Sequence, residues 1–225
     1  MTAVSLHLPR RAVLADLLPA SRLRTMALVI GGALLTAAAS QLRIPLGFTP
    51  VPVNGLTFAV LFLGGAYGFR RGIASVGLFW TLGAIGLPFY AGASGGWEHA
   101  TGATGGYLVG AIAAAGLVGL VAERGGDRHV VTSVAAMIAA NVVLIWVPGT
   151  LWLAHVLGVP VVGGDGSAFA LGIAPFVLGD ILKVVLAGSL LPLGWWLAGP
   201  SDDDRLAAAP SHRAGDEPGQ RQQSG

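Results

Sequence analysis

The chain has 225 residues, 54% of them hydrophobic and 11% charged, with a formal net charge of +2 and no cysteine. A soluble domain carries about 25% charged residues, so this composition describes an integral membrane protein. The small net charge, spread over scattered arginines, argues against a nucleic-acid partner, and without cysteine there is no disulfide, thiolate nucleophile or thiolate metal site.

Residues 1–23 read as an N-terminal tail. They show no apolar core followed by a small-residue cleavage site, which predicts that no signal peptide is removed. Six apolar stretches then follow, near 24–42, 55–69, 72–90, 104–122, 130–150 and 170–198, each close to the length that crosses a bilayer. The first carries small residues at four-residue spacing, Ala27 with Gly31 and Ala33 with Ala37. Such spacing lets another helix approach closely, either one of this protein or one of a partner. Between spans one and two, Ile44–Val53 is apolar and holds Pro45, Pro50 and Pro52 beside Phe48, which suits a cap over a site as well as simple packing on helix ends. Spans two and three are separated by a tight turn at Arg70-Arg71-Gly72. Span three ends at Pro88, and the loop Phe89–Tyr107 is rich in glycine, which permits close backbone approach to a ligand. That loop also offers Tyr90, Trp97 and Tyr107 as flat apolar walls with polar handles. The loop from Trp152 to Ala168 contains His155 and the turn-forming run Gly163-Gly164-Asp165-Gly166. After Pro200 the chain is polar and reads as a disordered tail.

The positive-inside rule orients these spans. With both termini in the cytoplasm, Arg10, Arg11, Arg22, Arg24, Arg70, Arg71, Arg124, Arg128, Arg205, Arg213 and Arg221 lie inside, eleven of the thirteen basic residues. The other two are Arg43, at the outer end of span one, and Lys183, within span six. The expected fold is therefore an all-α, multi-pass protein of six transmembrane helices.

Lys183 is the only lysine, and it follows Asp180 by three residues in a segment otherwise free of charge from Phe169 to Pro200. Charged groups at the centre of a membrane helix cost about 2.5–3.5 kcal/mol on insertion scales and therefore tend to face a site or an interior. At i and i+3 the two share one helix face. Three readings are open: a self-neutralising salt bridge, a proton relay, or recognition of a ligand. For the last, a carboxylate accepts ligand N–H groups and an ammonium meets a carbonyl or carboxylate oxygen. No phosphate-binding G-x-x-x-x-G-K-[ST] motif is possible around this lysine, so any ATP-driven step requires another polypeptide. The five histidines stand at no metal-ligand spacing and no G-x-S-x-G elbow occurs. No metal, no cofactor and no enzymatic activity are expected.

The motif P-F-V-L-G-D-I-L-K (Pro175–Lys183) resembles the last-helix signature of the BioY family, the biotin-binding substrate components (S components) of energy-coupling factor (ECF) transporters. T-P-V-P-V-N-G-L-T (Thr49–Thr57) resembles the family's entry to helix two. G-L-P-F-Y-A-G-A-S-G-G (Gly86–Gly96) with T-G-G-Y-L-V-G (Thr104–Gly110) resembles its outer glycine loop and the start of helix four. Asn141, ahead of Trp146 and Trp152, sits where some members carry asparagine. The likeness runs from about Ile44 to Leu191. It implies high-affinity binding of biotin from outside a bacterial inner membrane, and translocation with a shared transmembrane subunit and two ATPase subunits. It further implies that Asp180 contacts the ureido ring beside Lys183 and that Tyr90, Gly92, Thr104, Gly105 and Tyr107 line the pocket. Asn54 and Thr57 would contribute from helix two, with Pro45, Phe48, Pro50 and Pro52 on a lid. Ala33 and Ala37 would belong to the face that docks on the shared subunit. One position departs from the pattern: Leu56 stands where the family usually has glutamine, whose role is then lost or moved to a neighbour such as Asn54. The scaffold also fits an S component for another vitamin, or a structural subunit with a self-neutralising pair.

Overall fold

The computed structural model describes residues 12–199; the outer parts of the expected tails, residues 1–11 and 200–225, lie outside them. The main helices are α1 (Arg22–Gln41), α2 (Leu56–Tyr67), α3 (Phe69–Ala84), α4 (Trp97–Thr101), α5 (Gly105–Ala122), α6 (Val130–Leu157), α7 (Ala168–Gly172) and α8 (Val177–Ala198). A hairpin of β1 (Arg43–Ile44) and β2 (Val53–Asn54) joins α1 to α2, with Arg43 opposite Asn54 and Ile44 opposite Val53.

Among the described residues four helices, α1, α5, α6 and α8, are long and apolar enough to cross a membrane. The twelve residues of α2 reach only about 18 Å at 1.5 Å per residue, and α3 is only slightly longer. Their shared turn sits at Gly68 (φ 81°), which corrects the turn expected at Arg70–Gly72. Both arginines instead fall in the first turn of α3. The far end of α3 is corrected too. Its helix stops at Ala84, and Gly86 (φ 111°) turns the chain before Pro88.

α5 is the central helix, with 61% of its apolar window buried inside the protein against 28% for α1, α6 and α8. Its Gly and Ala residues explain that position, because they let other helices approach the backbone. A methyl group on Gly64 of α2 would stand 2.5 Å from the Ala115 carbonyl oxygen, and one on Gly119 would stand 2.5 Å from the Phe69 nitrogen. Around this axis, Val60, Leu61, Phe79, Met137, Leu153 and Leu191 are fully buried. The outer faces of α1, α6 and α8 expose Leu23, Met26, Val131, Val143, Leu178 and Leu182, as expected for helices whose solvent is lipid.

Ala33 and Ala37 turn inward and are buried. That corrects their assignment to a partner-docking face: in this protein they are internal packing, and it is Ala27 and Gly31 on the same helix that stay exposed.

One end of the bundle gathers the basic residues. The segment expected to be a loose tail is packed there, with Ala12 and Val13 buried. Asp16, in the turn Leu14–Leu17, pairs with Arg71 at 2.6 Å and Arg24 at 3.4 Å. At the same end, in the 3-10 turn Gly126–Arg128, Asp127 is buried and accepts the Trp195 Nε1–H at 2.5 Å, while the Arg128 guanidinium lies 4.8 Å from the centre of that indole ring. Its other oxygen has no hydrogen-bond partner among the described residues. Burial pushes the Asp127 carboxyl above its ordinary value of 3.8, outweighing the indole and Arg128 contacts that pull it down. A carboxyl raised on folding weakens the fold as pH climbs through the window between the two values. Asp127→Asn is therefore expected to raise the melting temperature at pH 8, the gain shrinking toward about pH 4; thermal unfolding of both proteins in detergent checks it.

Candidate ligand-binding site

The last turn of α1 builds one wall. Ser40 Oγ donates to the Phe89 carbonyl at 2.6 Å, and Gln41 Nε2 donates to the Phe89 and Tyr90 carbonyls at 3.1 and 3.0 Å. Gln41 Oε1 accepts from the Ala93 N–H at 2.8 Å. These bonds hold the tight turn at Gly92 (φ 77°) and Ala93 (φ 54°), closed by Tyr90 N–H donating to Ser94 O at 2.9 Å. The β1–β2 hairpin forms a second wall, and the first turns of α5 and α8 complete the enclosure. Between them lies a cavity of about 440 Å³, within the usual 300–1,000 Å³ of a small-molecule site.

Asp180, Lys183, Tyr90, Gly92, Thr104, Tyr107, Asn54 and Thr57 all line this cavity, as do Pro50 and Pro52 of the expected lid. Three expected residues do not. Gly105 faces the Ala100 carbonyl and Trp152 Nε1 and serves helix packing. Pro45 is absent from the lining, and Phe48 points outward and is 64% exposed. The lid's inner edge is thus Pro50-Val51-Pro52. It is tied down by Thr49 Oγ1, which donates to the Leu171 carbonyl at 2.7 Å. The two tyrosines offer ring faces rather than free hydroxyls: Tyr90 donates to the Trp80 carbonyl at 2.6 Å and Tyr107 to the Gly172 carbonyl at 3.0 Å.

The polar end of the cavity is Asp180, 5% exposed, in the first turn of α8. Its Oδ1 accepts from Lys183 Nζ at 2.9 Å. Its Oδ2 accepts from Trp146 Nε1 at 3.0 Å and from Asn141 Nδ2 at 3.2 Å. In an α-helix residues five apart point about 140° away from each other, so Asn141 and Trp146 should not meet one carboxylate. They do so because Ala140–Trp146 is wound as a π-helix, with Val147 N–H donating to Val142 O five residues back. Pro148 supplies the cause: it lacks an N–H for the Leu144 carbonyl and its ring crowds that position. π-Windings of this sort concentrate at functional sites. α6 also continues to Leu157 instead of stopping near 150, which places Trp152 and His155 on helix rather than in a loop.

Sequence reading did not pick out Ser40, Phe79, His99, Ile145, Trp146 and Phe176 as lining residues. For Trp146 the one signal was an indole N–H inside an apolar span, and at α-helical spacing it falls on a different face from Asn141. For Phe79 and Ile145 there was none, since they are ordinary apolar residues that happen to face the cavity. Among the described residues no group of three or more His, Asp or Glu gathers to hold a metal ion.

The model of the BioY family matches residues 11–199. The chain belongs to the BioY family. Among relatives, the "Probable biotin transporter BioY" of Pyrococcus horikoshii is 33% identical over 153 residues, covering 68% of this chain and 85% of that protein. The "Biotin transporter BioY" of Rhodobacter capsulatus is 37% identical over 163 residues, covering 69% and 84%. A crystal structure described as the S-component for biotin from an ECF-type ABC transporter superposes with a TM-score of 0.69 at 23% identity, over 77% of this chain and 93% of that one. This chain thus has the S-component fold, and as a BioY member with four long apolar helices it is a multi-pass membrane protein.

Proposed function

We propose that this protein is the substrate-specific component of an ECF-type transporter and that its cavity binds biotin for uptake. The observation that carries the reading is the arrangement at Asp180. A carboxylate and an ammonium 2.9 Å apart close the polar end of a cavity whose other walls are largely ring faces and aliphatic groups. A cyclic urea matches that pair: one of its N–H groups donates to the carboxylate and its carbonyl accepts from the ammonium. The fused thioether ring and alkyl chain of biotin then pack on Tyr90, Tyr107, Phe79 and Phe176. Asn54, Thr57, Gly92 and Thr104 supply the remaining lining, and Pro50-Val51-Pro52 covers the ligand. The carboxylate of Asp180 already accepts three bonds, and about four acceptor positions on a carboxylate leave room for a ligand N–H.

In this reading α1, α2, α3, α5, α6 and α8 are six spans of a bacterial inner-membrane domain covering residues 24–199, with tails at 1–23 and 200–225. Both termini face the cytoplasm, as the arginine distribution supports. Transport is driven by a separate transmembrane subunit and two ATPase subunits, consistent with a chain that has no P-loop. The protein alone binds and does not catalyse.

Calorimetric titration of biotin into the detergent-purified full chain tests the assignment. One-to-one saturable binding is expected, with no comparable signal from other vitamins. A folded protein that ignores biotin but binds a different vitamin would redirect the substrate while leaving the site in place.

A further inference from the structure

Charge within the cavity is not balanced by the Asp180–Lys183 pair. The charged side chains that line it are Arg43, Asp180 and Lys183, with His99 as the one further titratable side chain of the imidazole type. Asp180 and Lys183 neutralise each other at 2.9 Å. Arg43 pairs with no acid among the described residues, so the cavity presents one uncompensated positive charge.

The fold also holds that charge in place. Arg43 is in β1, where its backbone pairs with Asn54 of β2, itself a lining residue. Its guanidinium lies against Gly92 at the tip of the tight turn, so close that a methyl group on Gly92 would stand 2.5–2.8 Å from Cζ, Nη1 and Nη2. Glycine there provides both the positive φ and the space the guanidinium occupies. A planar guanidinium with a fixed fork of donors, facing a cavity and lacking an internal partner, suits a carboxylate.

We infer that Arg43 binds the carboxylate of the ligand, so that the cavity selects a free monocarboxylic acid over its neutral derivatives. This rests on biotin as the ligand, whose urea would meet Asp180 and Lys183 while its valerate carboxylate meets Arg43.

The test titrates biotin and biotin amide into the wild-type chain, Arg43→Gln and Arg43→Lys. The wild type should bind the acid at least tenfold more tightly than the amide, about 1.4 kcal/mol. Arg43→Gln should erase that preference by weakening the acid at least tenfold while changing the amide's affinity far less, and Arg43→Lys should restore part of it. Added salt should weaken acid binding to the wild type more than amide binding. Equal wild-type affinities for acid and amide would overturn the role of Arg43 and leave biotin as the ligand. So would an Arg43→Gln loss shared equally by both ligands, which would mark the residue as a support of the hairpin. Failure of the folded wild type to bind either compound would overturn the biotin assignment and this inference with it.

Discussion

Asp180→Asn is expected to weaken biotin binding by at least a hundredfold, about 2.8 kcal/mol, and to lower the thermal stability of the empty protein. The carboxylate is 5% exposed and accepts three hydrogen bonds. An asparagine in its place turns an NH₂ toward groups that are themselves donors, so at least one of Trp146 Nε1, Asn141 Nδ2 and Lys183 Nζ is left without an acceptor. Hydrogen bonds to a charged group are worth about 1.5–3 kcal/mol each, and the ligand would lose its charged acceptor as well. The Lys183 ammonium, 18% exposed on the cavity wall, would remain without its anion, at a cost below the about 3–5 kcal/mol of breaking a fully buried pair. Loss of stability and loss of binding are therefore entangled in the single variant. The double variant Asp180→Asn with Lys183→Met separates them. It removes the stranded cation, so the melting temperature should recover, while binding stays lost if the pair recognises ligand. Wild-type affinity in the double variant would return the pair to self-neutralising support.

The helices were legible to different degrees, and the differences have physical causes. The starts and ends of α1, α2 and α5 follow directly from their apolar runs and flanking polar or glycine residues. α3 ends early because Gly86 and Pro88 turn the chain while the sequence stays apolar, so hydropathy cannot mark the end. α6 ran past its expected end for the opposite reason. Pro148-Gly149 looks like a stop, yet a membrane helix tolerates proline where a neighbouring helix covers the freed backbone, and Gly110 of α5 does that here. The final apolar stretch splits at Ile173–Phe176 around Pro175, giving α7 and α8 rather than one helix.

The site divides in the same way. Asp180 and Lys183 were visible because charge inside an apolar span is costly and needs a reason. Pro50 and Pro52 were visible as stiff apolar residues in a loop. Asn141 and Trp146 acting together on one carboxylate were not visible, because that geometry exists only once Pro148 has wound the helix to the π form. The buried faces of Ala33 and Ala37 were likewise ambiguous, since small-residue spacing says that something packs closely without saying what.

The packing that produces the π geometry leads to the second large effect. Gly110→Ala is expected to destabilise the protein by about 3 kcal/mol, the upper part of the range for overpacking, and to weaken biotin binding more than tenfold. A methyl group on Gly110 would overlap the Leu144 carbonyl oxygen and stand 3.0 Å from Leu144 C and 3.1 Å from Ile145 Cα. All of these are backbone atoms of the π-wound stretch, so no side-chain rotation relieves the clash. α6 must move away from α5, and it carries Asn141 and Trp146 off Asp180. A methyl group on Gly106, one turn earlier on the same face, would stand 2.6 Å from the Pro148 carbonyl oxygen, so there is little room for the helix to escape by tilting toward that end. Gly77→Ala in α3 is the matched control, because none of the described residues lies within 4 Å of a methyl group there. It is expected to be neutral or stabilising by up to about 1 kcal/mol, as for an unstrained helical glycine. Thermal unfolding and biotin titration of the two variants, side by side, decide the matter. If Gly110→Ala behaves like Gly77→Ala in both measurements, the α5–α6 contact does not hold the carboxylate's partners in place.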